Sequence, residues 1–194
     1  MPKSYLIFDT ETTGLPKNYK APITDLNNWP RLVQIAWHHC DNSGNIISNS
    51  DYIVKPQGFT IPENAAKVHG ISTETAINEG IDLEIVLNEF ASAMERSDHL
   101  VAHNIKFDEN IVGAEFLRVD IKNRLSNIPK ICTMEMSTGH CRLPGKYGYK
   151  WPSLSELHYK LFNEDFDEAH DAAVDVRACA NCFFELKNKG IIKS

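Results

Sequence analysis

The chain has 194 residues, 42% of them apolar and 24% charged, with a formal net charge of −6. That length suits one well-buried core, and no Pro/Gly/Ser-rich linker divides it, so a single domain over residues 1–194 is expected. No apolar run approaches the ~20 residues that cross a bilayer and no export signal opens the chain, so a cytoplasmic protein without a membrane partner is expected.

The run Tyr5-Leu6-Ile7-Phe8 does not alternate and predicts a first strand buried on both faces. Leu32 to Trp37 and Ile46 to Val54 predict two more strands, joined at the turn-forming cluster Asp41-Asn42-Ser43-Gly44 into an antiparallel hairpin. Between strands one and two, the polar segment from Pro16 to Pro30 is a long loop for so short a chain, and such loops beside a site are often lids. Glu63 to His69 and Thr73 to Ile77 predict short helices broken at Gly70-Ile71-Ser72. Asp82 is placed to cap an amphipathic helix carrying Leu83, Val86, Leu87, Phe90 and Met94 to near Ser97.

His99 to His103 predicts a fourth strand, and Asn104 a cap for a helix whose apolar positions are Phe107, Ile111, Ala114 and Leu117. Lys130 to Cys132 predicts a fifth strand and Ser153 to Phe162 another helix. The last helix is the best marked, with Ala172, Val176, Cys179, Phe183 and Leu186 on one stripe and Gly190 as a stop. A strand hairpin followed by strands alternating with helices predicts an α/β layered fold around a mixed sheet. The five cysteines, Cys40, Cys132, Cys141, Cys179 and Cys182, are odd in number and scattered, which argues against a disulfide framework. Cys179-x-x-Cys182 lacks two further ligands at matching spacing, so packing rather than zinc is expected of it.

Asp9-Thr10-Glu11 follows the first apolar run directly. On an extended segment side chains alternate, so Asp9 and Glu11 share a face and Thr10 points away. Two like charges at the edge of a core repel and lose hydration, an arrangement that makes sense chiefly around a cation. Oxygen-only ligands favour Mg²⁺ or Mn²⁺ over zinc.

Three segments carry chemistry together: Phe8-Asp9-Thr10-Glu11-Thr12-Thr13-Gly14, His103-Asn104-Ile105-Lys106-Phe107-Asp108 and His170-Asp171-Ala172-Ala173-Val174-Asp175. In order and spacing the chain resembles the DnaQ-like (DEDDh) 3′–5′ exonuclease family, which includes the proofreading subunit of bacterial replicative DNA polymerase, ribonuclease T and oligoribonuclease. The resemblance implies a ribonuclease H-like fold, with a central mixed five-stranded sheet whose second strand is antiparallel, flanked by helices. It makes Asp9, Glu11, Asp108 and Asp175 ligands of two divalent metal ions, Mg²⁺ or Mn²⁺, and His170 the general base. Gly14 and Leu15 match a turn that holds the last base, and His69, in Val68-His69-Gly70-Ile71-Ser72, matches a position near the terminal nucleotide. Thr12, Asn104 and Phe107 complete the expected substrate contacts, Asn104 chiefly as a cap and Phe107 chiefly as core.

Five helical positions turn through about 500°, so His170 is expected on the loop before the last helix and Asp175 one turn inside it. Asp171 shares a face with Asp175 and is expected to cap that helix rather than to bind metal. The implied reaction releases nucleoside 5′-monophosphates from the 3′ ends of single-stranded nucleic acid, DNA favoured over RNA. An exoribonuclease or oligoribonuclease of the same chemistry is the alternative, and a non-catalytic nucleic-acid-binding module the reading of a different class. The last helix ends near the C-terminus without the tail by which the proofreading subunit grips its polymerase, so at most loose association with a DNA polymerase is expected.

A net charge of −6 is unusual for a nucleic-acid binder, but two divalent ions would more than neutralise four carboxylates locally. It argues against salt-sensitive tracking along a duplex. Arg142 to Trp151 mixes basic and aromatic residues in a glycine-containing loop of the kind that cradles a single strand, with Lys146 and Lys150 as expected phosphate contacts.

Overall fold

The computed structural model describes residues 3–165 and 171–193. Five strands form one sheet in the order β3-β2-β1-β4-β5, where β1 is Tyr5–Thr12, β2 Leu32–Cys40, β3 Ile46–Ile53, β4 His99–Ala102 and β5 Lys130–Cys132. β2 runs antiparallel to both β1 and β3, while β4 pairs parallel with β1 and with β5. This is the mixed sheet with an antiparallel second strand that the resemblance implied.

The helices are α1 (Glu63–His69), α2 (Thr73–Glu79), α3 (Leu83–Glu95), α4 (Ile105–Arg118), α5 (Thr133–Cys141), α6 (Leu154–Phe162) and α7 (Ala172–Asn188). None among the described residues is long and apolar enough to cross a membrane. Tyr5 to Phe8 are all fully buried because both faces of β1 are covered. Leu6 and Phe8 pack with α3 and α4, whereas Tyr5 and Ile7 pack with the α7 stripe of Val176, Cys179 and Phe183. All five cysteines are free and buried, and burial pushes the Cys182 thiol up to about 12, which suits packing and not thiolate ligation.

Several local expectations differ from the structure. Helix α5 was not legible, because its buried positions include Thr133 and Ser137 and its turns contain Gly139, which blur any apolar period. Asn104 and Asp82 occupy N-cap positions, but neither side chain makes a capping bond. Asn104 is in the left-handed region at φ 69°, a conformation that Asn tolerates better than most residues, so backbone geometry accounts for its place. Leu117 lies on the predicted apolar stripe of α4 yet is exposed. Within the 142–151 segment, Pro144–Gly145 and Gly148–Tyr149 pair as a small hairpin, β6 and β7.

The segment between β1 and β2 is anchored to α4 near its C-terminal end. Glu115 of α4, 1% exposed, bonds to Arg31 Nε at 2.8 Å, to the Leu32 amide at 3.0 Å and to Arg118 at 3.0 Å. Arg118 in turn donates to the carbonyls of Leu26 and Trp29, at 2.6 and 2.9 Å. Ile23 lies so close over Gly113 that a Cβ there would meet its Cδ1. These contacts hold the loop against α4 and fix the entry angle of β2. Removing the buried carboxylate leaves two guanidiniums without their shared partner, a loss of roughly 3–5 kcal/mol. Glu115→Ala should therefore lower the thermal midpoint by about 10 °C in a melt followed by circular dichroism. A shift under 2 °C would show that the strap carries little stability.

Candidate active site

β1 continues past its last parallel partner, since the β1–β4 pairing ends at Ile7 and Val101. Beyond that point the chain from β1 turns back toward β2, while the chain from β4 leaves in the other direction through α4 to β5. Diverging connections open a crevice at the C-terminal ends of the two strands, the usual place for a ligand in such sheets. A cleft of about 780 Å³ lies there, walled by Asp9 to Thr12, Gly14 and Leu15 from β1 and its exit, by Val68 and His69 of α1, by His103, Asn104, Phe107 and Asp108 around the start of α4, by Pro152 to Leu154, and by Asp175.

The carboxylates reach this cleft from both faces of the sheet. Asp9 and Glu11 project on the α7 side, and Asp175, in the first turn of α7, meets them there. One carboxylate oxygen from each of the three lies within 4.8 Å of the other two. Asp108, in the first turn of α4, arrives from the opposite face and is 3% exposed. Its Oδ1 accepts from the Thr10 amide at 3.1 Å and from the Thr10 hydroxyl at 2.7 Å. Thr10 does point away from Asp9 and Glu11, as alternation requires, and thereby becomes the residue that orients the fourth carboxylate. A Thr between two acidic residues of a strand edge, with another acidic residue in a helix start elsewhere, is the signal that was available.

Both helix-borne carboxylates sit at helix N-termini, where unpaired amides and the helix dipole favour negative charge. The Asp171 carboxylate accepts from the amides of Ala173 and Val174, at 2.9 and 3.3 Å, so it is occupied in capping α7. Gln34 of β2 accepts from the Ala172 amide at 3.3 Å and fixes the same helix start against the sheet. His170 lies outside the described residues.

The remaining expected contacts are placed as follows. The Thr12 hydroxyl donates to the Gly14 carbonyl at 2.6 Å and so closes the turn after β1 instead of facing solvent. Gly14 is in the positive-φ region at 142°, and Leu15 beyond it is 73% exposed at the lip of the cleft. His69 is buried, and its Nδ1 accepts from the Ile71 amide at 3.2 Å, which puts the neutral ring's proton on Nε2. Phe107 is half-buried, packed against the core on one side and lining the cleft on the other. His103, given no role from sequence, is a strut: Nδ1 meets the Thr133 hydroxyl and Nε2 the Pro152 carbonyl, both at 3.0 Å. It ties the end of β4 to the cleft wall that precedes α6.

Electrostatically the site is unbalanced. Lost hydration, then the charges of Asp108, Asp175, Glu11 and Asp171, hold the Asp9 carboxyl well above the usual carboxylate range. Lost hydration and the charges of Asp175, Asp108 and Asp171 push Glu11 up to about 8. Burial raises Asp108 to about 7 against the opposing pull of its Thr10 bonds. Among the described residues, the charged groups that shift Asp9 and Glu11 are other carboxylates. Such a set of oxygen donors fits a hard divalent cation.

A family model described as exonuclease matches residues 6–183 of this chain. The chain belongs to that exonuclease family. The PolC-type DNA polymerase III of Streptococcus pneumoniae is 31% identical over 181 residues, 93% of this chain and 11% of the polymerase. The corresponding polymerase of Streptococcus mutans is 29% identical over the same share of each. The chain thus spans about a tenth of the length of these relatives. Among solved structures, Escherichia coli exonuclease I in complex with a dT13 oligonucleotide superposes with a TM-score of 0.76 at 19% identity, over 95% of this chain and 41% of that one. Exonuclease I from Methylocaldum szegediense gives 0.73 at 20% identity, over 96% and 41%. These likenesses establish the shared fold, and the family assignment agrees with the DnaQ-like resemblance of the three motifs.

For this exonuclease-family chain the charge imbalance has a thermodynamic sign. Glu11 and Asp108 are protonated in the folded protein up to about 8 and 7, but ionise near pH 4 when unfolded. The metal-free folded state therefore binds more protons across that window, and its stability falls as pH rises from about 5 to 8. In EDTA the thermal midpoint should drop over this range, and millimolar Mn²⁺ should remove the drop. Asp9→Asn should raise the midpoint in EDTA at pH 8 by roughly 3 °C or more. Equal melting of the wild type and Asp9→Asn at pH 8 would mean that the carboxylates are not straining the fold.

Proposed function

We propose that the chain is a 3′–5′ exonuclease domain that hydrolyses the terminal phosphodiester of single-stranded DNA and releases nucleoside 5′-monophosphates. The reading is carried by one observation: carboxylates from β1 and from the first turns of α4 and α7, far apart along the chain, enter one cleft. Asp9, Glu11, Asp108 and Asp175 would hold two divalent ions, Mg²⁺ or Mn²⁺. When bound, such ions supply a water acidified for attack and neutralise the charge at the scissile phosphate.

The other tasks fall to the chain's own side chains. Asp9 and Glu11 on a buried strand, and Asp108 clamped by Thr10, give ligands whose positions do not depend on substrate. Leu15, Val68 and Phe107 offer apolar surface against which the terminal base can lie, with Gly14 leaving room at the turn. The His69 Nε2 proton is suited to a sugar or phosphate oxygen of that nucleotide. His170 takes the proton of the attacking water, a task that a histidine side chain suits at neutral pH.

DNA is favoured over RNA because the PolC-type relatives are DNA polymerases and the exonuclease I structure holds a dT13 oligonucleotide. Partnership with a DNA polymerase fits the same relatives.

The decisive assay is digestion of matched, end-labelled DNA and RNA oligonucleotides with Mg²⁺ or Mn²⁺, with and without EDTA. Mononucleotides released from the 3′ end of DNA, and abolished by EDTA, are expected. Metal-independent cleavage, or internal cuts, would defeat the reading. His170→Ala should lower turnover about 10²- to 10⁴-fold while Mn²⁺ affinity is kept, and near wild-type turnover would remove His170 from proton transfer. Thr10→Val should weaken Mn²⁺ binding about 10- to 100-fold, since it frees Asp108 to rotate.

A further inference from the structure

The hairpin β6–β7 displays three large aromatic rings that the fold does not use. Tyr147 is 91% exposed, Trp151 62% and Tyr149 56%. Exposed rings grouped this closely on a two-residue ribbon make sense as a surface for something flat and apolar to stack on. The charge of the segment points the same way. Arg142, Lys146 and Lys150 are its charged residues, all positive, in a chain of net charge −6. The Lys146 ammonium stands 5.2 Å from the centre of the Tyr147 ring, so cation and stacking face are presented together.

The hairpin is also continuous with the cleft and firmly rooted. Its strands close through the Lys150 amide on the Leu143 carbonyl, at 3.0 Å. Directly after Trp151 come Pro152, Ser153 and Leu154, which wall the cleft. The Pro152 carbonyl is held by His103, and Ser153 forms a capping box with Glu156. Lys150 is spoken for in this rooting, since its ammonium pairs with Glu156 at 2.6 Å. The two lysines grouped from sequence therefore separate, Lys150 bracing the base of the hairpin and Lys146 standing out from its tip. Tyr147 precedes Pro152 by five residues, a reach of at most ~17 Å.

We propose that this hairpin is the platform for the single strand immediately 5′ of the nucleotide in the cleft. Tyr147 and Trp151 stack on its bases, and Arg142 and Lys146 meet its phosphates. The assignment rests on the reading of the cleft as the seat of a 3′-terminal nucleotide. Stacking on aromatic side chains is tolerant of base identity, so the platform lends grip without sequence preference.

The test is fluorescence anisotropy of 5′-labelled dT12 and dT3, with Ca²⁺ in place of Mg²⁺, for the wild type, Lys146→Ala and the Tyr147→Ala/Trp151→Ala double variant. Because these rings lie outside the core, the melting midpoint serves as the folding control. The double variant should lose about ten-fold or more in affinity for dT12 and distinctly less for dT3. Lys146→Ala should make the dependence of log affinity on log salt shallower by about 0.7, the value of one phosphate contact on a single strand. No binding of dT12 by the wild type, a loss under two-fold in the double variant, or equal losses on dT3 and dT12 would each overturn the platform. Hydrolysis of thymidine 5′-monophosphate p-nitrophenyl ester by the wild type with Mn²⁺ reads the cleft alone. Length-dependent losses without ester hydrolysis would refute the nuclease reading and leave a strand-binding hairpin.

Discussion

Negative charge crowded at the end of β1 is the constraint around which the rest of the molecule is arranged. The strand leaves a core in which four successive residues are fully buried and within one residue presents Asp9, then Glu11, each only partly exposed. Left alone, those groups would recover neutrality by binding protons, as their raised pKa values record. Among the described residues, partial relief comes from amides at the N-termini of α4 and α7 and from the two Thr10 donors on Asp108. Neither supplies a full positive charge. A site kept this far from balance is a site prepared for a cation.

Holding such a site together requires that two helices on opposite faces of a sheet keep their first turns in register with one strand. On one face α4 is fastened by Glu115, which draws Arg31, Arg118 and the Leu32 amide onto a single carboxylate. On the other, α7 is fastened by the Asp171 cap and by Gln34 of β2. β2 is therefore attached to both helices, near Leu32 at one position and through Gln34 at another. The antiparallel strand, which carries no expected ligand, is the piece that references Asp108 and Asp175 to a common frame.

The legible parts of the chain were those whose signal is periodic or local. The unbroken run Tyr5 to Phe8, the stripe on α7 and the apolar spacing of α3 follow from burial alone, and the structure contains all three. Asp9 and Glu11 were readable as neighbours because a strand alternates with a fixed period. Asp108 and Asp175 came from the resemblance, since no local pattern distinguishes an acidic residue that faces a cleft from one that faces solvent. What escaped was everything that depends on pairing across long separations. Thr10 matters through a residue 98 positions away, and Glu115 through one 84 away. Helix α5 escaped for a different reason, as buried threonine and serine make a core-facing helix look polar.

On the proposed reading, an acidic chain that handles an anionic polymer must place its favourable charges well. Beyond a Debye length of about 10 Å the net charge of −6 is screened, so a strand is repelled only weakly on approach and must be gripped by contact. On the proposed reading, contact is of two kinds with opposite demands. The cleft needs metal before it can accept a phosphate, because its carboxylates, protonated or ionised, supply no positive charge of their own. The hairpin needs no metal, because stacking is indifferent to charge and Lys146 carries its own. Dividing the work this way lets a strand be retained by its upstream bases while its last nucleotide waits on the state of the metal site. It also keeps the number of cation–phosphate contacts small, so salt should disturb binding far less than it does in proteins that track a duplex.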